Sequence, residues 1–276
     1  MMREPMPVTG QDALIGRPAS EAIPRLVDRL GDRMLALGVK FCGNRADAED
    51  LVQETFLQAY RSWEQFEGRS DPSSWLYMIA ARGCQRMRRR RAGEPARLAS
   101  LDEQLPSGLD LVAQLPSPDD GPLDRELRQE AVEIVDRALA RLPEDFRLPL
   151  VLKEIAELSL REIAEILDVK EATVKTRVHR ARLALRAALA ESIGQKSPGR
   201  SDHSRQICLD LLRAKMDALD RAAPFPVAKE DLCGRCRAFV DSLDLTVELC
   251  RWVDGGELSA ALRQRLEEQM GPAEQG

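Results

Sequence analysis

The stretch 158–187, LSLREIAEILDVKEATVKTRVHRARLALRA, constrains this chain more than any other, because a short apolar helix, a tight turn and a basic second helix follow one another in it. Leu160, Ile163, Ala164 and Leu167 stand at i, i+3, i+4 and i+7, which puts them on one buried stripe of the first helix. Asp168 is expected to end that helix, since a short Asx side chain tolerates the left-handed conformation that a tight interhelical turn asks for. The second helix is expected to open near Ala172–Thr173. Val174, Val178, Ala181 and Leu185 then face inward, leaving Lys175, Arg177, Arg180, Arg182 and Arg186 mostly outside. Helices joined in this way form a helix-turn-helix, whose second helix fits the major groove. Exposed cations there, beside Thr173 and Thr176, suit phosphates and base edges. A solvated amphipathic helix would carry the same charges, but stripe, turn and basic face together favour DNA.

A chain of 276 residues exceeds one average domain. Strong charge content, few aromatics and no strand-like alternation predict small helical units, hence an all-α protein. The formal net charge of −5 hides local asymmetry. Arg82, Arg86 and Arg88–Arg91 form one basic block, and the helix after Asp168 forms another. Between them, Ala99–Asp124 carries Asp102, Glu103, Asp110, Asp119, Asp120 and Asp124 without a Lys or Arg. Such segregation says more about partners than the total does. No apolar run approaches the ~18 residues that span a bilayer, and the N-terminus lacks a signal peptide's apolar core, so a cytoplasmic protein without membrane insertion is expected.

The punctuation of the chain suggests a loose N-terminus over 1–19, a helical unit over 20–92, a Pro-rich flexible acidic linker over 93–123, and a second helical unit over 124–193. A hinge over 194–200 (GQKSPGR spans it) and a small cysteine-rich helical unit over 201–276 complete the organisation. In the first unit Ala48, Leu51, Val52, Thr55, Phe56, Ala59, Tyr60 and Trp63 keep one helical stripe. Asp47, Asp50, Gln53, Glu54 and Gln58 lie opposite. A helix over 73–91 carries Trp75, Leu76, Ile79 and Met87 and ends in arginines, which complement its dipole.

Two such units in this order resemble a bacterial sigma factor of the extracytoplasmic-function type, over about Pro24–Leu189. The string RADAEDLVQETFLQAYRSWEQFEG is similar to that family's region two, and LPEDFRLPLVLKEIAELSLREIAEILDVKEATVKTRVHRARLALR to its region four. The resemblance implies a subunit, not an enzyme, that binds core RNA polymerase and recognises the minus-ten and minus-thirty-five elements of promoter DNA. It implies no required cofactor. Asp50, Gln53 and Glu54, with Asp47 beside them, match the acidic face that docks on the polymerase, and a carboxylate cluster with no internal partner suits a basic surface. Gln65–Asp71 corresponds to the loop that takes a flipped promoter base, with Trp75, Arg82, Arg86 and Arg88 near the single strand; stacking and cations suit unpaired DNA, although a lone tryptophan on an apolar stripe also packs well. Gly83–Cys84, where asparagine is common, and Asp168, where glycine is usual, depart from the family pattern. The acidic linker resembles the segment that lies in the polymerase's RNA path, and a solubilising spacer would have the same composition.

Beyond the resemblance to region four stand Cys208, Cys233-Gly-Arg-Cys236 and Cys250. A Cys-x-x-Cys pair has chelating spacing, so zinc or another divalent ion is the candidate ligand of this quartet, with a thiol switch or buried thiols as the other readings. ICLDLLRAKMDAL and CRWVDGGELSAALRQRLEEQ look like helices of zinc-binding anti-sigma domains, although Lys229 stands at the histidine position of that pattern. His203 is a further candidate ligand. The resemblance implies a sigma factor regulated by its own C-terminal domain, through self-inhibition or an anti-sigma partner. Cys42 and Cys84 stand alone in helices and are expected to pack. With two histidines and no phosphate loop, no catalytic constellation assembles. The competing reading is a metal- or redox-responsive helix-turn-helix regulator that acts without joining polymerase.

Overall fold

The computed structural model describes residues 14–68, 71–90, 123–193, 204–251 and 257–270. Among these residues the chain is helical without strands: α1 (Ala19–Cys42), α2 (Arg45–Ser62), α3 (Pro72–Arg90), α4 (Leu123–Arg141), α5 (Glu144–Glu154), α6 (Leu160–Leu167), α7 (Glu171–Ile193), α8 (Arg205–Asp220), α9 (Gly234–Arg251) and α10 (Ala260–Met270). They divide into two compact units, Met1–Gly93 with Val253–Gly276, and Glu94–Trp252. The residues expected to form the acidic linker and the hinge fall outside the described ones, apart from Leu123 at the start of α4.

In the first unit, Gly43 ends α1 at φ 81°, donating its N–H to the Val39 carbonyl at 2.7 Å. Only a residue without a Cβ adopts that conformation at no steric cost. Asn44 then caps α2 by accepting from the Asp47 N–H at 2.9 Å. The expected stripe of α2 is buried from Ala48 to Ala59. It packs against α1 and α3, where Leu35, Phe41 and Leu76 are buried. Helix α10 joins the same unit, with Leu262 and Leu266 fully buried.

In the second unit, α4 stops at Arg141 and Pro143 stands at the N-cap of α5 with φ −56°, a value proline holds by itself. Leu183 of α7 shares one cluster with Leu212 and Met216 of α8 and Phe239 and Leu243 of α9.

The expected independent unit over 201–276 is therefore divided. Helices α8 and α9 belong with α4–α7, and α10 with α1–α3. α8 and α9 share the Leu183 cluster of α7, and α10 buries Leu262 and Leu266 in the first unit.

Candidate nucleic-acid and polymerase interfaces

Ser159 opens α6 with a reciprocal cap: its hydroxyl accepts from the Glu162 N–H at 3.2 Å, and its own N–H donates to Glu162 Oε2 at 2.8 Å. This Ser-x-x-Glu signature was present in the sequence and went unread there. Ile163, Ala164 and Leu167 are buried, and Leu160 is half-buried. Asp168 closes the helix at φ 55° and ψ 50°, the left-handed turn expected of it. Val174, Val178, Ala181 and Leu185 of α7 face inward as expected.

The outward face is smaller than the sequence suggested. Lys175 and Thr176 are exposed; Thr173, Arg177 and Arg180 are half-buried. Arg182 was expected among the DNA contacts, but it is only 1% exposed. Its Nε and Nη2 donate to Glu154 Oε1 at 2.8 and 2.6 Å, and its Nη1 to Asp220 Oδ1 at 2.6 Å. His179 Nε2 donates to the other Asp220 oxygen at 2.7 Å. Burial alone would raise the Asp220 carboxyl, but the His179 hydrogen bond and the Arg182 charge outweigh it and hold the group below its ordinary range. Arg186 is also buried, 4.3 Å over the Phe239 ring, and desolvation pushes its guanidinium down to about 10. Neither arginine is placed to meet a phosphate here.

Lys175 pairs with Asp217 at 2.7 Å. The ligand atoms of His179, Asp217 and Asp220 lie within 4.8 Å of one another. Lys175 and Arg182 already neutralise those carboxylates, so the trio is an ion-pair network rather than a cation site.

On α2, Asp50 and Glu54 are exposed and Asp47 and Gln53 half-buried. Asp47 accepts from Asn44 Nδ2 at 2.8 Å. Glu54 accepts from Arg86 at 2.8 Å, joining a residue expected at polymerase to one expected at DNA. Gln53 donates to Gln269 of α10 at 2.9 Å. Arg82 is exposed, and the side chain of Arg88 lies outside the described residues. Trp75 is half-buried in an aromatic trio, its ring 5.0 Å from Phe66 and 5.9 Å from Trp63. At Gly83 a Cβ would come 2.8 Å from Leu51 Cδ1, so α3 closes on α2 there.

Cys208, Cys233 and Cys236 are buried with Leu232 and Val240, the Cys208 and Cys236 sulfurs 3.8 Å apart. Burial first, then the neighbouring Cys233 and Cys208 thiols, push Cys236 up to about 12. Cys250 does not join them. It lies on α9 fourteen residues after Cys236, roughly 21 Å along the axis at ~1.5 Å per residue, so one ion cannot bind both. Lys229 is turned to Asp241 at 2.6 Å. His203 lies outside the described residues. Cys84 is buried and Cys42 half-buried.

Two helical units, one of which contains a capped helix-turn-helix, define a class of chain with one helical body and one body built around a DNA-binding motif. Residues 26–94 match Sigma-70 region 2, and residues 133–185 match Sigma-70, region 4. The chain is 34% identical over 172 residues to the ECF RNA polymerase sigma factor SigW of Bacillus subtilis, covering 62% of this chain and 90% of that protein. It is 35% identical to the ECF RNA polymerase sigma factor SigE of Mycolicibacterium smegmatis, over 68% of this chain and 69% of that one. A co-crystal structure of the sigma factor RpoE with the anti-sigma factor NepR from Bartonella quintana matches 60% of this chain and 94% of its own at 23% identity, with a TM-score of 0.40. The chain belongs to the ECF RNA polymerase sigma factors. Residues 186–276 extend past the region 4 match, and no helix among the described residues is long and apolar enough to cross a membrane.

Proposed function

We propose that the chain binds core RNA polymerase through the Asp50 face of α2 and reads promoter DNA, the minus-ten element beside α3 and the minus-thirty-five element with α7. We also assign regulation of that activity to the cysteine-rich C-terminal segment. The observation that carries this reading is the capped α6–Asp168–α7 unit, with Lys175 and Thr176 exposed on the first turns of α7, where a recognition helix meets phosphates and base edges. The exposed carboxylates of Asp50 and Glu54 suit a basic partner.

Cys208, Cys233 and Cys236 are the metal or redox element of the regulatory segment. Three thiolates fit a soft divalent ion such as zinc, which takes a further donor for tetrahedral closure. Binding would release protons, among them the one that burial holds on Cys236.

The test is reconstituted transcription with core polymerase and a library of promoter fragments. The parent chain is expected to direct initiation at defined sites. Asp50→Arg with Glu54→Arg should lose core association while the helical circular-dichroism signal is unchanged. Site-specific DNA binding with no association of any variant or parent with core would overturn the reading, in favour of a regulator that acts alone.

A further inference from the structure

The two faces assigned to partners are both met by helices of the chain's own C-terminal segment, each within its own unit. On α7, the exposed Lys175 is held by Asp217, and His179 and Arg182 by Asp220. Asp217 and Asp220 stand three residues apart at the end of α8, so both carboxylates project from one helix face. They stand in a cleft of about 380 Å³ that is also lined by Lys153, Arg161 and Arg221. The cleft lies at the N-terminal ends of α6 and α7; its basic side chains suit anionic oxygens, and Glu171 is a further carboxylate in its lining. A DNA backbone approaching the first turns of α7 would need that space. The two carboxylates of α8 already stand in it.

In the first unit, α10 and the residues just before it are seated as firmly, against α1 as well as α2. Leu258 packs so closely on Gly31 that a Cβ there would fall 2.3 Å from Leu258 Cδ1. The Leu258 N–H and Arg263 both donate to Asp32, at 2.8 and 3.0 Å. Leu262 and Leu266 are fully buried. The helix ends with Gln269 on Gln53, one turn from Asp50 and beside Glu54 on the face assigned to polymerase.

We infer that the C-terminal helices are a tethered competitor: α8 places carboxylates where DNA phosphates would meet α7, and α10 holds the Gln53 edge of the docking face of α2. This rests on the reading of the chain as a promoter-directing subunit and names how that activity is restrained. The design suits release. The Lys175–Asp217 pair is exposed on both sides, hence weak and displaceable, whereas Asp220 is buried and fixes where α8 lies. Charge mimicry also sets the specificity of the restraint, since the same cations serve carboxylate and phosphate.

The experiment measures binding of a labelled random-sequence DNA duplex by the full chain between about 50 and 200 mM salt, and binding of Escherichia coli core polymerase by titration. Asp217→Asn should tighten DNA binding several-fold and steepen the slope of log K against log salt by about 0.9, the value for one added phosphate contact. Lys175→Ala placed in that background should cancel both changes. Arg263→Glu with Gln269→Ala should tighten core binding several-fold. If parent and Asp217→Asn bind DNA with the same affinity and slope while Lys175→Ala weakens the parent, Lys175 is already free and the α8 arm is overturned, with the promoter-directing reading intact. Unchanged core affinity in the Arg263 and Gln269 variant overturns the α10 arm in the same way. No DNA binding by any variant overturns the inference and the reading beneath it together.

Discussion

Arg182 of α7 and Asp220 of α8 meet at 2.6 Å with both side chains almost wholly buried. The pair is not isolated. Glu154 takes the other edge of the guanidinium, His179 takes the second Asp220 oxygen, and Arg251 approaches Glu154 at 3.5 Å. Removing one member leaves an uncompensated charge, which costs far more than the pair gains relative to an apolar replacement.

Asp220→Asn should accordingly destabilise the chain by about 3–5 kcal/mol, read as a lowered urea midpoint at pH 7. The pH dependence has a defined direction. Because the folded carboxyl is held below its ordinary value, its contribution is fully present above the unfolded value of roughly 3.9 and is lost as pH falls through the folded one. The parent should lose stability on acidification over that range, and Asp220→Asn should show a smaller loss. Equal acid sensitivity in the two would detach Asp220 from the effect.

What was legible in the sequence, and what was not, divides along α7. Periodicity identified Val174, Val178, Ala181 and Leu185 because they share one stripe, and Asp168 because a turn residue announces itself locally. It misplaced Arg182 and Arg186 because a helix packed on two sides has two buried faces, and the second is set by α8 and α9, far along the chain. Their partners Asp220 and Phe239 give no sign of this in their own neighbourhoods. Gln53 was likewise read as a free polar face, and only the fold brings Gln269 to it.

Arg186 offers a sharper test of that second face. Its charge is buried and desolvated, with the Phe239 ring beneath it, so the cost of burial and the cation–π attraction oppose each other. Arg186→Met should change stability by less than ~1 kcal/mol, because it removes both terms. Phe239→Ala should lose about 3–5 kcal/mol by opening a cavity. The salt slope of DNA binding should not move with Arg186→Met, whereas loss of a phosphate contact would flatten it by about 0.9.

Gly31 should show a sign reversal. Alanine in the middle of a helix is intrinsically better than glycine by about 1 kcal/mol, yet here its Cβ would collide with Leu258. Gly31→Ala alone should destabilise the seat of α10 by ~1–3 kcal/mol, seen as faster hydrogen exchange over residues 260–270. With Leu258→Ala in place the collision is gone, and Gly31→Ala should then stabilise. The same sign in both backgrounds would mean that Leu258 does not rest on Gly31.

The cysteines separate by distance along one helix. Cys236 lies with Cys208 and Cys233, while Cys250 sits roughly 21 Å further along α9 at ~1.5 Å per residue, buried in other surroundings. Zinc uptake by the apo chain, followed by proton release at pH 7, should therefore survive Cys250→Ser and fall in Cys236→Ser. The proton count carries the argument. A thiol gives up its proton when it ligates a metal, and burial holds that of Cys236, so a three-sulfur site should release close to three protons, and one that uses only the Cys233–Cys236 pair close to two. Equal loss of uptake in Cys250→Ser and Cys236→Ser would return Cys250 to the site and contradict the length of α9. Uptake unchanged in every variant would leave the three thiols as core packing beneath α8.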